Sequence, residues 1–497
     1  MASKNAREWA KKLKKSCTSE RGMYRKEKQL EFTENRLYFQ GELDPKNRWV
    51  ILADIIPWDR IETEYEKNFT TDTGAPAKSS RMAFGALYIK EKLGISDEEL
   101  VEQLRENPYL QYFIGIKDFQ KEAPFDPSMR VYFRKRLKAE DLAKINEWIH
   151  AKQVKDKRVE DTDGEGGGKR GKLIADATCA PQDIRFPTDV DLLNEVREKT
   201  ERIIDRLHEP LVGKESKVRT YRKKARKAYL RFIKKRRPKE KEVRRALREQ
   251  LGFVRRNLRH IKEISKRVSL ERLTKKEYRD LLVASEVARQ QEYMWRENTK
   301  KLSGRIVSVS QPHVRPIVRG KAAAAVEFGA KISVSLVNGY SFVEKIGWEP
   351  FNENGDLAMQ IERYKERFGY YPEVVVVDKI YRTRKNREYC RERGIRITGP
   401  ALGRRVKDKT RSREELRKNR EDEALRVAIE GKIGQVKRRF SLGCIYEKLK
   451  ETSETAIMLS FLVANCEKIM RDLLFCLMEF LKQLVSRMLK RVEFRIV

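Results

Sequence analysis

Apolar positions recur at helical spacing through the first third of the chain. In SSRMAFGALYIKEKLGISDEELVEQLRENPYL (79–110) they predict one helix, a turn at Gly94-Ile95, and a second helix opened by a Ser96/Glu99 capping box. FDPSMRVYFRKRLKAEDL (125–142) continues the pattern and places Arg130, Arg134, Lys135 and Arg136 on one short segment. Residues 45–153 therefore read as a helical N-terminal domain, and both a helix-turn-helix DNA reader and a plain helical domain with a basic outer face fit them. Residues 154–171 turn polar and Gly-rich, as a linker does. Their end, GGGKRGKL, imitates a phosphate loop but has Leu173 where Ser or Thr is needed, and the strand follows it instead of preceding it.

The period changes after the linker. GKLIADATCA predicts a short buried strand over 172–176 that ends in Asp176. A long helical tract follows over 189–301, with Leu192, Leu193, Val196, Ile203, Ile204 and Leu207 as its first stripe. KISVSLV and YSFVEKI flank Asn338-Gly339 and predict a hairpin with a two-residue turn. A helix over 356–368 then leads to PEVVVVDKIY, a continuous apolar run that reads as a buried parallel strand with Asp378 at its C-terminal end. A helix over 385–393 and a strand over 395–398 come next. In EALRVAIEGKIGQVKRRFSLG (423–443), Leu425, Val427, Ile429, Ile433, Val436 and Phe440 supply the apolar positions of a late helix. Gly431 and Gly434 inside it cost about 1 kcal/mol each against Ala, which suggests close approach by a backbone or ligand.

Charge narrows the function. The 497-residue chain has 112 Lys+Arg against 75 Asp+Glu, a net +37, which calls for a polyanionic partner, most simply nucleic acid. The excess concentrates in 217–267, with 23 Lys/Arg against 4 Glu. Interleaved Tyr221, Tyr229, Phe232 and Phe253 make that block a folded, DNA-tracking surface and not a solvated tail. No membrane span is expected, because the uncharged run over 455–466 falls short of the ~20 residues required. The apolar end beyond 451 reads as a buried helical hairpin or partner surface. Six scattered cysteines without C-x-x-C spacing, and a start without a secretory pattern, suit the cytoplasm.

Against this basic background three acids stand out by position: Asp176 and Asp378 at strand ends, and Glu430 on the late helix. Arg426, Glu430 and Lys437 project within ~40° of one another on that helix. Carboxylates converging at one sheet edge suit two Mg²⁺ ions ~3.5–4 Å apart, with Mn²⁺ as a substitute. The alternative for Glu430 is an ordinary i, i+4 pair with Arg426. Among other acids, Asp189 reads as a helix N-cap, and Glu327, Glu344 and Glu373 as surface residues.

Asp176-Ala177-Thr178, Asp378-Lys379-Ile380-Tyr381 and Arg426-x3-Glu430-x6-Lys437 together resemble the three motifs of insertion-sequence DDE transposases. Glu423 stands where relatives carry a Tyr. IPWDRIETEY and PFDPSMRVYFRKRL also resemble the helical region that precedes the core in that family. The resemblance implies an α/β fold with an RNase H-like core over 172–188 and 302–450. Around it would lie a basic extension (1–44), the N-terminal helical domain, a basic helical insertion (189–301) and C-terminal helices (451–497). It implies Asp176, Asp378 and Glu430 as catalytic metal ligands, and Arg426, Lys437, Lys432, Tyr381 and Thr178 as DNA contacts. The implied partners are double-stranded DNA (terminal inverted repeats and target) and a second copy of the chain in the active complex, in a nucleoid-associated bacterial or archaeal setting. The implied reaction is Mg²⁺-dependent strand cleavage and transfer. A catalytically silent DNA-binding protein and an RNase H-like nuclease without strand transfer are the other readings.

Overall fold

The computed structural model describes residues 36–39, 41–69, 76–158, 170–318, 326–399 and 409–496. Residues 1–35 of the basic extension and 159–169 of the Gly-rich linker lie outside them. A small hairpin, β1 (Arg36–Phe39) and β2 (Gly41–Glu42), precedes the N-terminal helices α1 (Arg48–Ile55), α2 (Trp58–Glu66), α3 (Ser80–Leu93), α4 (Asp97–Glu106), α5 (Pro108–Phe113), α6 (Met129–Arg136) and α7 (Ala139–Arg158). The turn between α3 and α4 falls where the sequence puts it. Gly94 takes φ 67° after the last turn of α3, and the Ser96 hydroxyl accepts from Glu99 N at 3.0 Å. Trp49, Trp58 and Tyr88 close around Phe113 with ring centroids 5.2–5.5 Å away.

The strand predicted over 172–176 is longer. β3 runs Lys172–Pro181, so Asp176 lies in its middle and not at its end. Ala177 to Ala180 carry no charge, and they continue the antiparallel ladder with β5, where Asp176 faces Val334. A helical insertion then leaves the sheet: α8 (Asp189–His208), α9 (Arg222–Ile233), α10 (Glu240–Ile264) and α11 (Lys275–Arg296). It has apolar clusters of its own, one around Leu193, Val254 and Val287 and another around Ile204, Ile261 and Leu281. Thr188, not Asp189, caps α8; the Asp189 carboxylate instead receives Gln291 and Arg305, tying the insertion's first helix to its last.

The chain returns through β4 (Arg315–Val318), β5 (Val326–Val337) and β6 (Tyr340–Gly347). Asn338 and Gly339 at the β5–β6 turn have φ 51° and 82°, the two positive values that a type I′ turn requires. Next come α12 (Leu357–Phe368), β7 (Val374–Val377), α13 (Arg384–Glu392), β8 (Arg396–Ile397), α14 (Lys409–Arg439) and α15 (Lys450–Ile496). The sheet order is β4-β5-β3-β7-β8, with β6 also on β5. β3 is antiparallel to β5 and parallel to β7, giving a mixed α/β sheet flanked by helices.

Two expectations change here. The C-terminal segment is one 47-residue helix and not a hairpin, because no Gly or Pro interrupts it. Its first half is buried between the N-terminal helices and the sheet, so all three share one apolar core. Beyond Met470 it exposes Leu473, Leu474, Phe475 and Met478. Among the described residues no helix is long and apolar enough to cross a membrane. Glu344 is also not a surface residue. Its side chain is fully buried, with Arg367 at 2.5 Å, Arg363 at 3.2 Å and the Ser335 hydroxyl on it.

Candidate active site

The register of β3 against β7 builds the site. Ala175 pairs with Val377, and the parallel ladder ends there, so the next residues along are Asp176 and Asp378. Asp378 caps the 3₁₀ turn Lys379–Tyr381, its Oδ1 accepting from Lys379 N at 2.6 Å. Arg382 secures this strand end from beside it by donating to Val377 O at 3.0 Å. Its guanidinium lies so close over Gly399 (φ 102°) that any Cβ there would collide with it.

Helix α14 brings the third acid. Ile429, Val436 and Phe440 bury one side of the helix, whereas Val427 stays exposed. The far end is held by the N-terminal helices: buried Glu91 of α3 accepts from Ser441 N (2.8 Å), Ser441 Oγ (2.7 Å) and Ser460 Oγ (2.6 Å). Glu430 is half exposed and pairs with Arg426 at 2.6 Å; Arg426 also pairs with Glu423 at 2.8 Å. The ordinary i, i+4 pair is thus present, on a helix that packs against β3 and β7. Burial pushes the Asp176 carboxyl up to about 6, countered by the bond from Ala177 N (2.8 Å); Glu353 raises it, Arg426 lowers it and Glu430 raises it. Asp176, Asp378 and the Arg426–Glu430 turn therefore lie at one end of the sheet. Among the described residues, no three acids, histidines or cysteines stand grouped so as to hold a metal ion.

The expected DNA contacts divide. Arg426 and Lys437 lie on the helix face that carries Glu430, neither of them fully buried. Lys432 does not, because two residues from Glu430 turn it ~200° around the helix. It is buried and donates to Ala464 O of α15 at 3.0 Å, and burial pushes its ammonium down to about 7. Thr178 and Tyr381 are also inside, 2% and 0% exposed, and present no surface to DNA. Among the described residues the glycines of α14 have no close neighbour to explain them: a Cβ on Gly431 would meet open space, and one on Gly434 only the tip of Arg438. In α6, Arg130 is buried against Asp97 (2.5 Å) and Arg134 pairs with Glu447, so half of the expected basic face ties elements together.

Two acids escape a reading based on period. Glu353 and Asp356 sit on the 3₁₀ turn Glu353–Asp356, which packs against the turn after Asp378. In EPFNENGD they look like loop polar residues, and only the sheet topology brings them to the site. The donors here are all carboxylate or phenol oxygens, and they include buried oxygens without partners at Asp356 Oδ2 and Tyr381 Oη. Oxygens are the donor type a hard divalent cation takes, but among the described residues they are not grouped to hold one.

Comparison with known proteins follows the same lines. Residues 375–467 match the family model of a transposase DDE domain, and residues 37–136 match that of a transposase domain (DUF772). The chain belongs to the insertion-sequence transposases. The first match contains Asp378 and Glu430, whereas Asp176 lies before it and is placed by strand register alone. The transposase is also similar to the uncharacterized protein ORF8 in the nfe locus of Rhizobium meliloti, 34% identical over 149 residues, 30% of this chain and 68% of that protein. No solved structure matches it.

Proposed function

We propose that this transposase binds the terminal inverted repeats of its own element, cuts the strands there with Mg²⁺, and joins the freed 3′-hydroxyls to target DNA. The observation that supports this reading is the pairing of Ala175 with Val377, which sets Asp176 beside Asp378 on strands that the Glu430 helix packs against. We read the mixed sheet as an RNase H-like core, with Asp176, Asp378 and Glu430 as ligands for two Mg²⁺ or Mn²⁺ ions. When bound, such a pair supplies an activated water or 3′-hydroxyl and stabilisation of the leaving oxygen. The residues of the chain do the rest. Glu91, on the N-terminal side, fixes the end of the Glu430 helix. Lys437 and, once released from Glu430, Arg426 offer positive charge to phosphate. The basic insertion follows the duplex.

Holding two ends together calls for a dimer in the active complex. A silent DNA-binding protein is favoured by one observation, the Arg426–Glu430 ion pair that engages the third acid. An Asp378→Asn variant separates the readings. Retained binding of boundary DNA with loss of cutting supports the transposase, and equal loss of both contradicts it. Joining of a pre-cleaved 3′ end to target DNA distinguishes the transposase from a nuclease.

A further inference from the structure

We infer that α9 is the helix that enters the DNA major groove and reads sequence there, with Leu230 in the middle of its reading face. The inference rests on the reading that the chain binds the terminal repeats of its element, and it names the element that recognises them. Of the 12 residues of α9 only Ala225 is buried, yet the helix is held firmly from its inner side. Arg222 pairs with Asp205 of α8 and donates to Glu201 O at 3.0 Å. Tyr229 Oη donates to Asp191 at 2.7 Å, and buried Gln250 of α10 donates to Ala225 O at 3.3 Å.

The outer side is built differently. Lys223, Lys227, Leu230 and Lys234 project opposite Ala225, with Arg226 and Arg231 beside them, and all six are exposed. Among the described residues none of these cations makes an ion pair. From Ser216 to Lys239 the sequence holds no Asp or Glu that could neutralise them. Unpaired cations on a fixed helix call for a polyanion, and a helix with its side chains is ~10–12 Å across, the width of the major groove. A surface that only follows phosphates has no use for an exposed leucine among lysines. Leu230 is 39% exposed and Ile233, three residues on, is 41% exposed. In the major groove such side chains meet the thymine methyl, which no phosphate offers. The basic helix α6 is less free to read, because Arg130 and Arg134 are committed to Asp97 and Glu447; its exposed Tyr132 is the competing contact.

The test compares two duplexes of equal length and composition, the element boundary and a scrambled sequence, at one salt concentration. Both are bound to full-length wild type, Leu230→Ala and Tyr132→Ala, with thermal melting as the check on folding. Leu230→Ala removes no charge, so contacts to phosphate stay as they are. It is expected to weaken binding of the boundary duplex about tenfold and to leave the scrambled duplex unchanged. An equal loss on both duplexes, or none on either, overturns the inference and makes α9 a helix that follows the backbone. Lost discrimination in Tyr132→Ala but not in Leu230→Ala moves the reader to α6. A wild type that holds both duplexes equally removes repeat binding itself, and the role of α9 with it. Should Leu230→Ala fail to fold, Ile233→Ala decides by the same comparison.

Discussion

Asp176 and Asp378 are the first residues beyond the last shared rung of two parallel strands, the rung of Ala175 and Val377. β3 continues past this point on its other edge against β5, whereas β7 ends and turns. At the point where one strand goes on and its neighbour turns away, both acids stand side by side. Strand register thus brings together two residues 202 positions apart in the sequence.

Asp176 bears the cost of this arrangement in the metal-free chain. An acid whose folded value lies above its unfolded one favours the fold while protonated, so that contribution is full below about pH 4 and is lost as pH rises through about 6. Asp176→Asn should therefore raise stability at pH 7 by roughly 1–3 kcal/mol in EDTA and abolish cutting. Thermal melts between pH 4 and 8 check this; a variant that melts below wild type at pH 7 would count against it.

The insertion offers a test that leaves the fold alone. Lys223, Lys224, Arg226 and Lys227 are exposed on α9. Changing all four to Gln should weaken DNA binding and lower the slope of log K against log salt by about 0.9 for each phosphate that is no longer neutralised. Binding measured from low to moderate salt decides, and an unchanged slope makes this helix a structural element only.

Lys432→Met tests the reassignment of that side chain. A lysine whose folded value lies below its unfolded one favours the fold when neutral, so its penalty is full below about pH 7 and is relieved as pH rises toward its ordinary range. The variant should be neutral or stabilising at pH 7, show a flatter rise in stability above it, and bind DNA as wild type does. A clear drop in DNA affinity would return Lys432 to the interface.

Glu344 predicts the opposite behaviour. Glu344→Ala leaves Arg367 and Arg363 beside an emptied buried position and should cost about 3–5 kcal/mol. Denaturant unfolding measures this. Cutting by the fraction that remains folded should be unchanged.

The sequence shows elements and chemistry well where a local rule governs them. Asn338-Gly339 needs positive φ at both places, Val374–Val377 can only be a buried strand, and the acids stand out because the chain around them is basic. It is silent where a side chain depends on what packs across from it. Lys432 and Glu344 look like surface residues until α15 and α12 cover them. β3 outruns its expected end because β5, distant in sequence, keeps pairing with it. Glu353 sits in a loop whose place beside Asp378 is set by tertiary packing and by no spacing. The buried and paired arginines of α6 are of the same kind: their charge suggests DNA, and their partners Asp97 and Glu447 lie elsewhere in the chain.

End-labelled DNA from the boundary of the coding element, incubated with the purified chain in Mg²⁺ or in EDTA, tests the three-acid centre most directly, with Glu430→Gln as the comparison. Cuts at the boundary that require Mg²⁺ and vanish in the variant are expected. Tight binding with no cut by either protein would contradict the assignment and leave a DNA-binding protein without catalysis.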